Sequence, residues 1–472
     1  MTKTKNKTNT FHLVSLGCAK NTVDSDSMAQ LLMRDGYRGL DNPEKADVLI
    51  VNTCGFIGPA KDESFEVLQE LADIKRSGQI LIAAGCLTQR YGAEVAQKVP
   101  GVDGVLGTRR WMDIVQVVRE LRPSPSRDGA TSSGLRPEPL YHLPDEAKTV
   151  GTDEHNALRV SVAGASAYLK VADGCRRPCA FCAIPLIKGT AVSRPVESII
   201  NEARVLRDSG VRELILIAQD TTDYGHDLGL KDGLAILLER LTDAVPEMDW
   251  IRIMYAYPGY VTDRLIDVMA ERKQILSYLD MPLQHAHPKT LYRMRRPSNI
   301  EWVHKTLAKM RTKIPNLAIR TTFIVGYPGE TDEEYQALVD FVEEIRFDRV
   351  GTFQFSFEEG TSSAPLGDPV PASVKQERFE YLMELQQGIS MQINHSYVGK
   401  TLDVMVEGFD NGISVGRSYR DAPEIDGLIF IEGKLEIGQI EPVRITGAMA
   451  YDLTGVPAAQ KPGMVELSAL AK

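Results

Sequence analysis

Along the first quarter of the chain, apolar residues recur in two alternating rhythms. Short β-rich runs at His12 to Leu16, Asp47 to Asn52, Gln79 to Ala84 and Val102 to Leu106 alternate with stretches whose apolar residues fall three and four apart. Those stretches are Asp24 to Asp35, Glu63 to Arg76, Arg90 to Val99 and Arg110 to Leu121. The first rhythm predicts strands and the second amphipathic helices. Strands alternating with helices predict a parallel, doubly wound α/β sheet. From Pro123 to about Asn156, Pro, Ser, Gly and charge interrupt both rhythms, which reads as a linker. The alternation resumes from Ala167 to Ser356, with six strands predicted near Tyr168 to Ala172, Glu213 to Ala218, Trp250 to Ala256, Leu276 to Met281, Leu317 to Val325 and Arg349 to Phe355. Six such units with right-handed crossovers predict a partial (β/α)6 barrel, an open TIM-like sector. A helix from Val374 to about Asn394 follows. Glycine-broken runs at Leu402 to Glu407, Ile413 to Arg417, Gly427 to Ile431 and Pro442 to Ala450 then predict a small antiparallel β-barrel. The expected domains are residues 10–122, 161–394 and 395–465, with a linker at 123–160.

Composition narrows the class. The 472 residues are 43% hydrophobic and 25% charged, as in ordinary soluble chains. Met1 to Thr10 is rich in Lys and Thr without an apolar core, so no secretory signal is predicted, and no apolar run reaches the about 18 residues of a membrane span. A cytoplasmic protein is expected, in which six cysteines point to metal ligands or reactive thiols rather than disulfides. The net charge of −10 argues against non-specific coating of nucleic acid. Between Tyr397 and Gly455 there are five Lys or Arg against ten Asp or Glu. That balance disfavours a phosphate backbone and favours a basic protein as partner.

Half of the cysteines lie in Cys175-Arg-Arg-Pro-Cys179-Ala-Phe-Cys182. Three thiolates on one loop can grip three irons of a [4Fe-4S] cube and leave the fourth iron without a local ligand. A zinc site is the alternative, but structural zinc takes four closed ligands and no His stands nearby. Cys18, Cys54 and Cys86 each end a predicted strand with a glycine beside them. In an open parallel sheet the strand C-termini share one edge, so the three would meet as a second metal site. Taken singly, each could equally be core filling.

Other barrel strand ends carry Gln219 to Thr222, Tyr255, Tyr257, Asp280, Gln284 and His285. Gly326-Tyr-Pro-Gly329-Glu330 could let backbone approach a cofactor, although Tyr-Pro-Gly is also a plain turn signal. His285 and Asp280 fit proton carriers or ligands of substrate, yet a histidine at a barrel rim is at least as often a satisfied hydrogen-bonding residue. Arg293, Arg295 and Arg296 form a basic run that also reads as a solvated helix face.

Cys175, Cys179 and Cys182 with Phe181 resemble the signature of the radical S-adenosylmethionine superfamily. The three-domain order, with Cys18, Cys54 and Cys86 before the barrel and a small β-barrel called TRAM after it, is similar to the methylthiotransferases. Ala218 to Thr222, Tyr278 to His285 and Arg417-Ser-Tyr-Arg420-Asp-Ala-Pro-Glu424 resemble the subgroup called RimO. The resemblance spans nearly the whole chain.

It implies two [4Fe-4S] clusters and S-adenosylmethionine as cofactors. The Cys175/Cys179/Cys182 cluster would chelate and split S-adenosylmethionine. The Cys18/Cys54/Cys86 cluster would carry sulfide or a methylated sulfur, with a second S-adenosylmethionine as methyl source. The implied target is the β-carbon of an aspartyl residue in the twelfth protein of the small ribosomal subunit, a basic partner met free or within the ribosome. An electron donor such as flavodoxin and a sulfur donor are implied as well. The expected cofactor-binding residues are Phe181, Gln219, Asp220, Gly326 and Gly329, and none beyond the cluster ligands is assigned to catalysis. Two alternatives stand beside this reading. Methylthiolation of a modified adenosine in transfer RNA would need a basic last module. A non-catalytic electron carrier would need a fourth ligand on each cluster, from His or Asp, since no further Cys exists.

Overall fold

The computed structural model describes residues 9–122, 138–151 and 155–458. The first eight residues of the stretch read for a signal, residues 123–137 and 152–154 of the predicted linker, and the last seven residues of the predicted third domain lie outside the described residues.

The first domain is a parallel sheet of β1 (Thr10–Ser15), β2 (Arg38–Gly39), β3 (Val48–Thr53), β4 (Ile80–Gly85), β5 (Gly104–Gly107) and β6 (Leu140–His142), ordered β2-β1-β3-β4-β5-β6. Its helices are α1 (Ala19–Arg34), α2 (Gly58–Ile74), α3 (Cys86–Lys98) and α4 (Ile114–Leu121). Alternate side chains of one strand face opposite layers. Val48 and Ile50 pack with Met28 and Leu32 of α1 and Val117 of α4, whereas Leu49 and Val51 pack with Leu68 of α2 and Val95 of α3. Helices on both faces make the sheet doubly wound, as expected. One expectation needs correcting: Leu140–His142, inside the predicted linker, is a sixth strand paired with β5. His142 Nε2 lies 2.7 Å from Asp113 Oδ2, which anchors this edge.

The central sheet begins with a hairpin of β7 (Val160–Ala163) and β8 (Ser166–Lys170). A short antiparallel pair, β9 (Ala172–Asp173) and β10 (Val192–Ser193), brackets the cysteine loop. Then come β11 (Glu213–Ile217), β12 (Trp250–Ile253), β13 (Ile275–Asp280), β14 (Ala318–Val325) and β15 (Arg349–Gln354). The order is β15-β14-β13-β12-β11-β8-β7, with all neighbours parallel except β7. This open sector is the six-unit partial barrel read from the pattern. Its helices are α5 (Ile184–Lys188), α6 (Val196–Asp208), α7 (Gly233–Ala244), α8 (Asp263–Glu271), α9 (Pro288–Arg293), α10 (Ile300–Lys313), α11 (Asp332–Ile345) and α12 (Ala372–His395). A buried cluster that includes Leu216, Leu237, Ile253, Leu279, Phe323 and Val342 binds helices to strands.

The last domain is a closed barrel of β16 (Thr401–Asp410), β17 (Ile413–Ser418), β18 (Ile429–Glu432), β19 (Ile440–Ala448) and β20 (Leu453–Pro457). It is antiparallel except where β18 meets β20, because closing five strands leaves one pair running the same way. The Arg417-to-Glu424 segment docks this barrel on the central domain. Arg417 donates to Glu213 Oε2 at 2.8 Å and to Ser166 Oγ at 3.1 Å. Arg252 donates to the other Glu213 oxygen at 2.7 Å and to the Tyr419 carbonyl at 2.8 Å. Arg420 donates to Asn394 Oδ1 at 3.2 Å, and Arg349 to Asp421 Oδ1 at 2.8 Å.

A candidate site for two clusters

The three strands that end in cysteine are neighbours in the sheet, β1, β3 and β4. Cys18 caps α1 just beyond β1, Cys54 follows β3, and Cys86 follows β4 as the first residue of α3. Glycine is required for this crowding. At Gly17 (φ +90°) a Cβ would stand 2.8 Å from Cys54 Cβ, and at Gly85 (φ +103°) it would stand 2.4 Å from Asn52 Oδ1. Two asparagines clamp the strand ends: Asn21 Nδ2 donates to the Leu16 carbonyl at 2.6 Å, and Asn52 Nδ2 donates to the Asn21 carbonyl at 2.9 Å.

In the central domain, Cys175, Cys179 and Cys182 leave the C-terminal end of the first barrel strands. The loop is held by the Ala180 N–H on the Met294 carbonyl at 2.9 Å and the Ser363 N–H on the Ala180 carbonyl at 2.8 Å. Arg177 lies beneath it, 5% exposed, paired with Asp220 and with Asp223 at 3.2 Å, and its guanidinium stacks 3.6 Å from the Tyr260 ring centre. Arg296 Nη1 reaches to 3.6 Å from Cys179 Sγ, over the Tyr257 ring at 4.0 Å.

All six cysteines line one cavity of about 320 Å³ between the first and central domains. Among the described residues no group of three His, Cys, Asp or Glu side chains is gathered tightly enough to hold a single ion. Each triad offers three thiols, and no His is among the residues lining the cavity, which fits a cluster with one open iron better than four-coordinate zinc. Burial pushes the Cys86 and Cys182 thiols up to about 12 and Cys175 up to about 11, and also raises Cys54. Burial acts the same way on Cys18, but Lys20, the Asn21 N–H and Lys188 together outweigh it and lower that thiol. Thiols this costly to ionise in an apolar site become thiolates when a metal supplies the compensating charge. Lys20, Arg177, Lys188 and Arg296, which also line the cavity, add positive charge.

The structure divides the predicted cofactor residues. Phe181, Gln219 and Asp220 line the cavity. Gln219 Oε1 is buried there without a hydrogen-bond partner, whereas Asp220 is occupied by Arg177 and by the Thr222 hydroxyl at 2.5 Å. Gly326 and Gly329 are not among the lining residues. A Cβ at Gly326 (φ +73°) would stand 2.2 Å from Lys375 Cγ, so that glycine makes room for α12, and Gly329 (φ +79°) sits beside Arg293. Of the other residues singled out, Tyr255, Tyr257, Gln284 and Arg296 line the cavity. Asp280 instead pairs with Arg320 at 3.0 Å, and His285 Nδ1 accepts the His287 N–H at 2.9 Å. Tyr255 and Gln284 adopt φ of +63° and +76°, a cost that non-glycine residues bear mainly at functional sites. Sequence reasoning missed Lys20 and Lys188, which belong to no motif, and gave no role to Arg177, which stands inside the cysteine motif; proximity to a ligand cysteine was the signal available.

Comparison with known proteins agrees with this architecture. Residues 169–342 match the Radical SAM superfamily, residues 398–457 the TRAM domain, and residues 10–107 the uncharacterized protein family UPF0004. A radical S-adenosylmethionine methyltransferase, TsrM from Kitasatospora setae, superposes with a TM-score of 0.53 at 14% identity, covering 85% of this chain and 82% of that one, a likeness of fold alone. Fold and matches together define a radical S-adenosylmethionine methylthiotransferase, whose cofactors are S-adenosylmethionine and two [4Fe-4S] clusters. Proteins named ribosomal protein uS12 methylthiotransferase RimO are 47% identical in Roseiflexus sp. strain RS-1, over 94% of this chain and 96% of that protein, and 48% identical in Chloroflexus aurantiacus, over 94% and 99%. The chain belongs to the RimO family.

Proposed function

We propose that this chain adds a methylthio group to the β-carbon of an aspartyl residue of ribosomal protein uS12. Cys175, Cys179 and Cys182 hold the cluster that binds S-adenosylmethionine, and Cys18, Cys54 and Cys86 hold the second cluster. The observation that carries this reading is the single cavity onto which six thiols from two domains open. When bound, the first cluster supplies the electron that splits S-adenosylmethionine and so a radical able to take hydrogen from an unactivated carbon. The chain's own residues do the rest. Phe181, Tyr255 and Tyr257 wall the cavity against water, and Arg177 and Arg296 offset the negative charge of thiolate-bound iron. Gln219 Oε1 offers its unused acceptor to an amine or hydroxyl of the cofactor.

The choice of a protein over transfer RNA rests on the last domain. Two of its five cations, Arg417 and Arg420, are buried and spent on interdomain pairs, and the side chains of two of its ten acids, Asp421 and Asp426, are buried likewise against Arg349 and Arg320, so the surface offered to a partner keeps the acidic excess that composition shows. That surface suits a basic protein, met in the cytoplasm where ribosomes are made. No helix among the described residues is long and apolar enough to cross a membrane. The chemistry also calls for an electron donor, such as flavodoxin, and a sulfur donor.

The test is anaerobic reconstitution with iron, sulfide, reductant and S-adenosylmethionine, offering uS12 and transfer RNA side by side. Mass spectrometry should find one methylthio group on uS12; a gain on RNA alone refutes the substrate. Replacing Cys18, Cys54 or Cys86 by Ala should leave cofactor cleavage and abolish methylthio transfer. Replacing Cys175, Cys179 or Cys182 should stop cleavage itself. Transfer retained in any of these six variants overturns the assignment.

A further inference from the structure

Buried charges fill the seam between the first and central domains beside the cavity. Asp24 lies on α1, the helix capped by Cys18; Asp173 ends β9, just ahead of Cys175; Lys188 ends α5, the helix that follows Cys182. Lys170 and Arg159 complete the group, and all five side chains are at most 5% exposed. Lys188 Nζ donates to Asp24 Oδ2 and to Asp173 Oδ1, each at 3.0 Å.

An ammonium carries three donors. Among the described residues the third donor of Lys188 has no acceptor, and the residue borders the cavity lined by the six thiols. It also lies near enough to Cys18 and Cys86 to favour their thiolates. Domain cohesion explains Lys170 and Arg159, which bond to the same two carboxylates and do not line the cavity. It does not explain a third cation on these carboxylates with one donor left over at the cavity wall.

The geometry points to Lys188 as the residue that holds an anionic sulfur species, hydrosulfide or methanethiolate, beside the Cys18/Cys54/Cys86 triad. This rests on the reading of that triad as the second cluster site. Lys20 also lines the chamber, but its ammonium rests over the Tyr255 ring. A small anion in this chamber needs a fixed partner charge. Lys188 provides one already oriented by its two carboxylates, so binding needs no rearrangement.

The test titrates methanethiolate onto anaerobically reconstituted protein and follows the reduced second cluster by electron paramagnetic resonance. In wild-type protein grown with lysine isotopically labelled at Nζ, the methanethiolate-loaded cluster should show a hyperfine coupling to the label. K188M should weaken methanethiolate binding at least about tenfold, while K188R retains most of it. If K188M loses iron, the pair D24N/K188M, which removes both charges together, replaces it. Absence of the lysine coupling in wild type, or unchanged affinity in an iron-replete Lys188 variant, overturns the role of Lys188. C86A is the control for the underlying reading: unchanged methanethiolate binding there removes the second-cluster assignment itself.

Discussion

Arg417→Met should loosen the last domain from the barrel, and the size of the effect follows from Glu213. Both side chains are essentially buried, at 1% and 0% exposure. Burial alone would raise the Glu213 carboxyl, but the guanidiniums of Arg252 and Arg417 outweigh it and bring it down from 4.5 to about 2. That shift corresponds to about 3 kcal/mol of stability. The contribution is fully present above about pH 4.5 and is lost as pH falls toward about 2. Arg417 also donates to Glu407 Oε1 at 2.7 Å and to the Asp421 carbonyl at 2.9 Å, so removing it leaves a backbone acceptor unpaired and takes one of two cations from Glu213, which keeps Arg252 and the Ser166 hydroxyl. With one cation still in place the cost stays at the lower end of that for a broken buried pair, about 3 kcal/mol. Urea denaturation at pH 7 and at pH 4 should show that loss in R417M, with faster tryptic cleavage between α12 and β16. E213Q/R417M should lose clearly less than the sum of the single variants. A loss under about 1 kcal/mol in R417M, or strict additivity in the double variant, refutes the assignment of this pair as the domain lock.

Gln219→Leu should weaken S-adenosylmethionine binding about tenfold by equilibrium dialysis, because its unpartnered oxygen is the acceptor offered to the cofactor; unchanged binding removes it from the site. His285, whose pKa burial lowers to about 3, should remain neutral by NMR across the range where a free histidine titrates. Its contribution to stability is present above about pH 6.5 and declines as pH falls toward about 3, because the unfolded chain takes up the proton first. Charge reversal at the exposed Glu432 and Glu436 should raise KM for uS12 about tenfold at low salt and much less at high salt, read by mass spectrometry of the modified protein.

The strands of the open barrel were legible in sequence because they are buried on both faces and read as continuous β-rich runs, such as Glu213–Ile217 and Ala318–Val325. The meeting of Cys18, Cys54 and Cys86 was legible because a parallel sheet gathers its strand ends on one edge. β6 was not, since three half-exposed residues at an edge have no periodicity to detect. β20 was missed for a related reason: Leu453–Pro457 contains both Gly and Pro, and only closure of the barrel makes it a strand. Gly326 carried a true backbone signal, positive φ, but the neighbour that demanded it was Lys375 of α12. Asp24, Lys170, Asp173 and Lys188 were invisible as a group, because charged residues on separate elements look solvated until the fold buries them together.

The cavity lies at a seam, so neither domain alone encloses the thiols. A fluctuation that parts the domains at the Asp24–Lys170–Lys188 contact would pull the two triads apart in the same event. The two metal centres therefore share one structural fate, although they are built on separate domains.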